Sequence, residues 1–273
     1  MSNLDNIKHV ICVASGKGGV GKSTTAANLA LALFQNGLKV GLLDADIYGP
    51  SVPILMGVPA GTRPEIRDKK LMVPLAAHGI ECNSMGFLVD PQVAMVWRAP
   101  MILSAFNQIM NDTLWSALDY LIVDMPPGTG DIQLSLAQST RLTGAVIVTT
   151  PQDIALADAV KGIEMFKKVG VPLLGVVENM SIHVCTNCGH EEAIFGEGGG
   201  LKLARDYEVD VIGRLPLDLA IREQTDSGFP VVASNPESAA AAAYLSLAGR
   251  VIEQVAALEE SATAAPKITI TDD

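Results

Sequence analysis

The chain has 273 residues, of which 49% are hydrophobic and 18% charged, and its formal net charge at pH 7 is −11. This apolar content excludes a disordered chain, and the excess of acidic side chains excludes a broad electrostatic surface for nucleic acid. The sequence begins without a signal-peptide pattern and contains no apolar run of about 20 residues, the length that a membrane-spanning helix requires. We therefore expect a cytoplasmic protein that does not bind membranes and is not a general nucleic-acid binder.

Apolar runs alternate with helical patterns along the chain, and this order predicts an α/β fold. Continuously apolar runs are typical of strands buried on both faces, so we predict a mainly parallel central sheet with helices on both faces. Between the second and third strands, residues 59–74 combine prolines with mixed charge and predict a turn or small hairpin. The predicted strands are residues 10–14, 39–43, 80–83, 120–123, 145–149, 172–178 and 211–213.

Helix boundaries are indicated at several points. Gly37 is placed to cap the C-terminus of the first helix, and Asp153 begins an amphipathic helix. An alanine-rich helix is predicted over 236–258, with Pro236 in its first turn. The acidic stretch 259–273 is predicted to be a disordered tail. Residues 1–258 are therefore predicted to form a single domain.

A glycine-rich loop, G-K-G-G-V-G-K-S-T, joins the first predicted strand to the first helix. It matches G-x-x-x-x-G-K-[ST], in which backbone N–H groups and the helix N-terminus surround phosphate oxygens. Lys22 supplies positive charge to the phosphates, and Ser23 is predicted to bind Mg²⁺. The second lysine, Lys17, is unusual in such a loop and indicates a particular class of nucleotide-binding protein. The predicted nucleotide-binding residues of the loop are Gly16, Lys17, Gly18, Gly19, Val20, Gly21, Lys22, Ser23 and Thr24.

Two acidic residues, Asp44 and Asp46, follow the second strand at the sheet edge where α/β proteins bind ligands. Asp46 lies further from the strand and is the candidate for orienting or deprotonating an attacking water. Asp44 is assigned to support of the loop or to the magnesium shell. The alternative is that both belong to an ordinary surface turn.

Two further polar residues, each at the end of a predicted strand, are candidates for the nucleotide site. Asp124 ends an apolar strand and precedes Pro-Pro-Gly, which resembles a Walker B element; such an aspartate holds Mg²⁺ through a coordinated water. Asn179 follows a later strand, and its amide offers both a donor and an acceptor to a nucleobase. A simple turn asparagine is the alternative for Asn179.

Cys185 and Cys188 form a C-x-x-C pair in a predicted loop, whereas Cys12 and Cys82 lie in apolar runs. Two thiolates can contact one metal but do not complete a site. Two chains meeting at this loop would supply four thiolates, enough for one [4Fe–4S] cluster or one Zn²⁺, so the pair predicts a homodimer. Thioredoxin-type redox use and a structural role remain as alternatives.

Together with V-E-N-M and C-x-x-C, the segments K-G-G-V-G-K-S-T, D-A-D-I-Y-G-P-S and D-M-P-P-G-T-G-D resemble the Mrp/ApbC (Nbp-type) iron–sulfur cluster carrier ATPases. That family belongs with MinD, ParA and the nitrogenase iron protein. The resemblance runs over residues 8–258 and implies a P-loop NTPase fold of the SIMIBI type with a deviant Walker A loop. Thr186 departs from the pattern, because many relatives have proline there.

The resemblance also implies a role for each candidate residue. In the family, the lysine matched by Lys17 reaches across a dimer interface to the phosphates of the partner subunit. The other implied roles are phosphate binding for Lys22, magnesium binding for Ser23, water activation for Asp46, the Walker B acid for Asp124, base binding for Asn179, and cluster bridging for Cys185 and Cys188.

The predicted function is that of an ATPase that uses ATP and Mg²⁺, holds a labile [4Fe–4S] cluster between two subunits, and delivers it to apo iron–sulfur proteins. A MinD- or ParA-like positioning ATPase is one alternative. A nucleotide-binding dimer clasped by structural Zn²⁺ is the other, since thiolate number does not distinguish zinc from a cluster.

Overall fold

The structure, a computed structural model, describes residues 3–88 and 99–264. Two short 3₁₀ helices, Asn3–Asn6 and Met85–Phe87, accompany the regular elements. The strands are β1 (Ile7–Ala14), β2 (Val40–Asp44), β3 (Ile66–Arg67), β4 (Leu71–Met72), β5 (Leu75–Ala77), β6 (Ile80–Ser84), β7 (Leu118–Asp124), β8 (Gly144–Thr149), β9 (Leu173–Glu178), β10 (His183–Val184), β11 (Glu191–Glu192) and β12 (Val211–Arg214). The helices are α1 (Lys22–Gln35), α2 (Val52–Leu55), α3 (Ala99–Asp112), α4 (Asp131–Ser139), α5 (Asp153–Val169), α6 (Gly199–Tyr207), α7 (Leu219–Asp226), α8 (Val231–Ser234) and α9 (Ala239–Ala264).

The described strands build an eight-stranded sheet in the order β12-β9-β8-β1-β7-β2-β6-β5. Neighbouring strands are parallel throughout, except that the edge strand β5 runs antiparallel to β6. Each of the seven strands predicted from the sequence is present in this sheet. The parallel arrangement brings the carboxyl ends of β1, β2, β7 and β9 to one edge, where the candidate residues follow them.

Two apolar clusters cover the two faces of the sheet, as the continuously apolar strands predict. Ile11 and Val13 of β1 pack into the cluster shared with α1 and α9, whereas Cys12 packs into the cluster shared with α3 and α5. All three side chains are fully buried. Strand β1 is therefore at the centre of the core, and it delivers the glycine-rich loop from a rigid support.

Local signals at the first helix and the predicted hairpin are confirmed. Gly37 follows α1 with a left-handed φ of 82°, and its N–H donates to the carbonyl of Phe34 at 2.9 Å. Strands β3 and β4 pair antiparallel, so residues 59–74 contain the small hairpin that their composition indicated.

The predicted bounds of the C-terminal helix were wrong. Helix α9 begins at Ala239, so Pro236 lies before the helix and not in its first turn. The hydroxyl of Ser238 accepts the N–H of Ala241 at 3.1 Å, as an N-cap side chain does. The helix continues past Leu258 to Ala264, so the first six residues of the predicted disordered tail are helical. The remainder of that tail, 265–273, lies outside the described residues.

None of the helices in the described ranges combines the length and apolarity needed to cross a membrane.

Candidate nucleotide site and cysteine loop

The glycine-rich loop curls between β1 and α1 around an open cavity of about 300 Å³. Gly19 and Gly21 have φ of 83° and 84°, a region that other residues rarely adopt, so the turn depends on glycine. Gly16 lies against the backbone of Asp158, and Val20 is buried behind the loop. The cavity is lined by Ser15, Gly18, Gly19, Gly21, Lys22, Ser23, Thr24, Asp46, Ser51, Leu55 and Pro127.

Lys22, which lines this cavity, forms a buried ion pair with Asp124. The lysine side chain is 6% exposed and the carboxylate is fully buried; Lys22 Nζ donates to Asp124 Oδ1 and to Ser23 Oγ, the latter at 3.1 Å. Burial raises the pKa of Asp124, while the positive charge of Lys22 acts in the opposite direction. Two residues that are far apart in sequence are thus joined where the phosphates of a nucleotide are expected.

The residues around Asp124 fit a magnesium ion. Asp124 Oδ2 is buried, and no hydrogen-bond donor reaches it among the described residues. A buried carboxylate oxygen normally has a partner, and a magnesium-bound water would supply one. Ser23, whose hydroxyl lies beside the same pair, offers the direct oxygen ligand. The magnesium roles of Ser23 and Asp124 stay predictions.

Asp44 supports the loop that follows β2. It is fully buried and lies in register with Asp124 on the neighbouring strand. Oδ1 accepts the N–H of Asp46, and Oδ2 accepts the N–H of Val52 and the hydroxyl of Ser84, all at 3.0 Å. Burial and the nearby charge of Asp124 raise the pKa of Asp44 to about 7. The surface-turn interpretation is therefore wrong for this residue.

Asp46 lines the same cavity as the glycine-rich loop. Its Oδ1 accepts the N–H groups of Tyr48 and Gly49, both at 3.1 Å, so a short turn fixes the carboxylate. Only 9% of the residue is exposed. The carboxylate shares the cavity with Lys22 and Ser23, which is the arrangement that a water-orienting acid needs.

Lys17 belongs to the glycine-rich loop, whereas Asn179 contacts the loop from the end of β9. The carbonyl of Lys17 accepts the hydroxyl of Ser15 at 2.8 Å, and its ammonium group has no ion pair among the described residues. Asn179 is buried, and its Nδ2 donates to the carbonyl of Val20 at 2.8 Å. A Cβ on Gly21 would lie 2.1 Å from the same nitrogen. This long-range contact goes beyond the turn interpretation of Asn179, and it leaves Oδ1 and one N–H for a base.

The C-x-x-C pair lies in a tight turn between β10 and β11. The N–H of Cys185 donates to the carbonyl of His190 at 2.9 Å, and the N–H of Gly189 donates to the carbonyl of Cys185 at 2.8 Å. Hydrogen bonds from the backbone N–H groups of Asn187 and Cys188 hold the pKa of the Cys185 thiol below its usual value. The turn therefore favours a thiolate at Cys185.

One chain offers only half of a metal site at this turn. Cys188 is exposed and Cys185 half-buried, and within residues 3–88 and 99–264 no three ligating side chains of the Cys, His, Asp or Glu type come together. Cys12 and Cys82 are buried in the core, and burial raises the pKa of the Cys82 thiol to about 12. The two thiols of the turn are thus the accessible ones.

Sequence reasoning missed Glu178 and Ser84. Glu178 is the last residue of β9, is 2% exposed, and accepts the N–H of Gly200 at 2.6 Å. Its signal was a carboxylate at the end of an otherwise apolar strand, the same signal that identified Asp124. Ser84 carried no such signal, because a serine at the end of β6 is ordinary in sequence.

Comparison with known proteins places this geometry in a family. Residues 6–252 match the ParA family of NUBPL iron-transfer P-loop NTPases. The chain belongs to this family. An iron–sulfur cluster carrier protein from Pseudomonas fragi is 60% identical over 245 residues, covering 90% of this chain and 85% of the relative. The resemblance drawn from the motifs is thereby confirmed.

Solved structures agree with the fold of this iron-transfer P-loop NTPase. A nucleotide-binding protein from Archaeoglobus fulgidus in complex with ADP is 39% identical, with a TM-score of 0.73, and the match covers 83% of this chain and 88% of that one. The cell division ATPase MinD from Pyrococcus furiosus is 26% identical, with a TM-score of 0.69, and the match covers 90% and 99%. The predicted α/β P-loop fold is confirmed.

Proposed function

We propose that this iron-transfer P-loop NTPase is an ATP-hydrolysing carrier that holds a [4Fe–4S] cluster between two subunits and transfers it to apo iron–sulfur proteins of the cytoplasm. The observation that carries the proposal is the joint presence, on one domain, of a complete phosphate-binding loop and half of a thiolate site. The naming of the Pseudomonas fragi relative as a cluster carrier supports the nature of the cargo.

In the nucleotide site, the loop N–H groups and Lys22 bind the phosphates of ATP. Ser23 and Asp124 would hold Mg²⁺, which would supply neutralisation of phosphate charge when bound. Asp46 orients the attacking water, because its carboxylate is fixed by the turn at Tyr48 and faces the same cavity. Asn179, which packs on the loop, holds the base with its remaining amide atoms.

Lys17 is assigned to the nucleotide of the partner subunit, as in the resemblance to the carrier family. Among the described residues the ammonium group of Lys17 forms no ion pair, which supports a role directed away from its own chain. ATP binding then brings two subunits together, and hydrolysis alters their arrangement. Such coupling requires ATP and ADP to differ in affinity for the two arrangements.

Exposed apolar side chains on the elements that neighbour the cysteine turn in sequence and contact support the proposed dimer. The carbonyl of Leu217 contacts His183 Nδ1 at 2.9 Å, which places the segment before α7 beside β10. Exposed apolar side chains occur on β10, on the segment after β11, and at the starts of α5, α6 and α7. Apolar residues of this kind mark interaction sites when they group together. They are Val184, Ile194, Ile154, Leu201 and Leu219.

Cluster binding is tested by anaerobic reconstitution with iron and sulfide, followed by absorbance, EPR and metal analysis. We expect Cys185→Ser and Cys188→Ser each to abolish the cluster without preventing ATP binding, and Thr186→Ser to serve as the matched control with both thiols intact. Light scattering of the wild type should give the mass of a dimer, and metal analysis should give four irons, one cluster, per dimer. A double cysteine variant with normal cluster content would refute the proposal, and a colourless protein with tightly held zinc would favour the zinc-clasped dimer.

Hydrolysis is tested separately by phosphate release. Asp46→Asn and Lys17→Ala should suppress turnover, whereas Asp226→Asn, an exposed acid paired with Arg222 at 3.1 Å on α7, should leave it unchanged. Full activity in Asp46→Asn would remove this residue from the mechanism.

A positioning ATPase is the second candidate, because the MinD structure shares this fold. The net charge of −11 counts against broad binding to DNA or anionic lipid. Co-sedimentation with anionic vesicles or DNA in the presence of ATP separates the two functions, since only the positioning ATPase should pellet.

A further inference from the structure

Glu178 links the end of β9 to the beginning of α6 across the residues that carry the cysteines. Residues 180–199 are called the cysteine segment below. Glu178 Oε2 accepts the N–H of Gly200 at 2.6 Å, and Oε1 accepts Arg214 Nε at 3.3 Å. Gly200 belongs to the first turn of α6, where a carboxylate is favourable because the N–H groups there lack helical partners.

The contact with Gly200 is too close for another residue. A Cβ on Gly200 would lie 2.7 Å from Glu178 Oε2 and 3.2 Å from Glu178 Cβ. Glycine at this position therefore allows the backbone of α6 to approach the buried carboxylate. The cysteine segment thus leaves the sheet directly after Asn179 and ends at Gly200, which contacts Glu178.

Asn179, the next residue, contacts the glycine-rich loop. Its Nδ2 donates to the carbonyl of Val20, and its side chain fills the space beside Gly21. Met180 follows with a left-handed φ of 56°, an uncommon conformation for methionine that fixes the direction in which the cysteine segment departs. Two adjacent residues therefore contact the phosphate-binding loop on one side and both ends of the cysteine segment on the other.

The first part of the cysteine segment is also held to the chain that follows β12. Both the N–H and the hydroxyl of Ser181 donate to the carbonyl of Leu215, at 2.9 and 3.0 Å. The N–H of Leu217 donates to the carbonyl of Ile182 at 2.8 Å. Since Arg214 contacts Glu178, the base of the cysteine turn and the carboxylate belong to one hydrogen-bonded unit.

We propose that Glu178 is a positioning residue for Cys185 and Cys188, and that with Asn179 it transmits the occupancy of the phosphate-binding loop to the two thiols. A shift of the Val20 carbonyl on nucleotide binding moves Asn179, and Glu178 carries the shift to both ends of the cysteine segment. This inference rests on the proposed function, because the thiols are those assigned to the cluster. It adds a route by which ATP regulates them.

The test measures alkylation of the thiols by iodoacetamide in cluster-free, chelator-treated protein, with peptide-resolved mass spectrometry. Rates for Cys185 and Cys188 are compared with and without a non-hydrolysable ATP analogue and Mg²⁺ at one pH. Cys12 and Cys82 are buried and serve as internal references. We expect the analogue to change the wild-type rates by about fivefold or more, the lower end of typical coupling between sites.

Glu178→Gln keeps the shape of the side chain but removes its charge, and we expect its ratio of rates with and without the analogue to approach one while the analogue still binds. Glu253→Gln is the matched control, because this exposed acid on α9 pairs only with Arg250 among the described contacts. If Glu178→Gln does not fold, Arg214→Gln removes one contact to Glu178 from a half-exposed side chain and should bring the ratio closer to one.

A wild-type ratio of one, or an unchanged ratio in the folded variant, would overturn the proposal. The measurement is repeated at lower protein concentration, because a ratio of alkylation rates that depends only on dimer formation will change with concentration. If the ratio depends on concentration in this way and is equal in wild type and Glu178→Gln, the proposal is also overturned. The measurement uses no cluster. Failure of cluster binding in the cysteine variants and failure of this coupling are therefore separate results.

Discussion

Replacing Lys22 by methionine should destabilise the protein even in the absence of nucleotide. The substitution keeps much of the side-chain volume but removes the partner of Asp124, whose carboxylate is fully buried. A buried charge without a partner either remains ionised at high cost or takes up a proton. Lys22 is thus expected to contribute to folding as well as to phosphate binding.

The loss of unfolding free energy in Lys22→Met is limited because Asp124 can take up a proton. A free aspartate titrates near pH 4, so protonating Asp124 at pH 7 costs about 4 kcal/mol, at about 1.4 kcal/mol per pH unit. The loss in unfolding free energy cannot much exceed that figure. Because the variant no longer buries an ammonium group, part of the loss is offset, and we expect a net loss of about 2–4 kcal/mol at pH 7. At pH 5 the same limit falls to about 1.4 kcal/mol.

The sign of the pH dependence follows from proton binding. Lys22→Met raises the pKa of Asp124 in the folded protein further, so the folded state binds more protons than the unfolded chain above about pH 4. Stability relative to wild type therefore falls as pH rises from about 4 to 7.

Urea denaturation at pH 5 and pH 7 measures the effect, and the double variant Lys22→Met/Asp124→Asn should recover much of the loss at pH 7. A penalty that is equal at both pH values, or that the double variant does not reduce, would refute this reasoning and attribute the loss to packing.

Two further substitutions test the geometry of the site. Gly21→Ala should lower the unfolding free energy by about 2–3 kcal/mol, because alanine is strained in the left-handed region and the hydrogen bond from Asn179 to Val20 is lost. Gly18→Ala is the control, since a Cβ there meets nothing within 4 Å. Equal urea midpoints for the two variants would contradict the prediction. Because the pKa of Asp44 is raised to about 7, the wild type should lose stability relative to Asp44→Asn as pH rises from about 4 to 7, and parallel pH profiles would count against that shift.

The parts of the site that depend on local sequence were predictable. The glycine-rich loop requires a strand before it and a helix after it, and all three signals lie within a short stretch around Lys22. Asp46 and Asp124 were identified because parallel strands bring their carboxyl ends to one edge of the sheet. The C-x-x-C pair was identified from spacing alone, and the turn between β10 and β11 presents both thiols.

The sequence assigned loop support or the magnesium shell to Asp44, but the partners that bury this side chain are distant in sequence. Asp44 is buried because Ser84 of β6 and the N–H of Val52 reach it, and neither contact is visible in a pattern of polar and apolar residues. The partner of Lys22 is likewise fixed by the adjacency of β1 and β7. At α9, only Pro236 indicated a start in the sequence, whereas the structure starts the helix at Ala239, where the hydroxyl of Ser238 accepts the N–H of Ala241.

The contact between Glu178 and Gly200 has a consequence for the architecture of the chain. Since the cysteine segment departs and returns at nearly the same point, its length and composition can change without altering the spacing of β9 and α6. The turn that we propose to bind the cargo can in this way be exchanged as a module while the P-loop domain is kept. Chimeras that swap residues 180–199 between carriers should fold, provided that the residues at both ends of the exchange are retained.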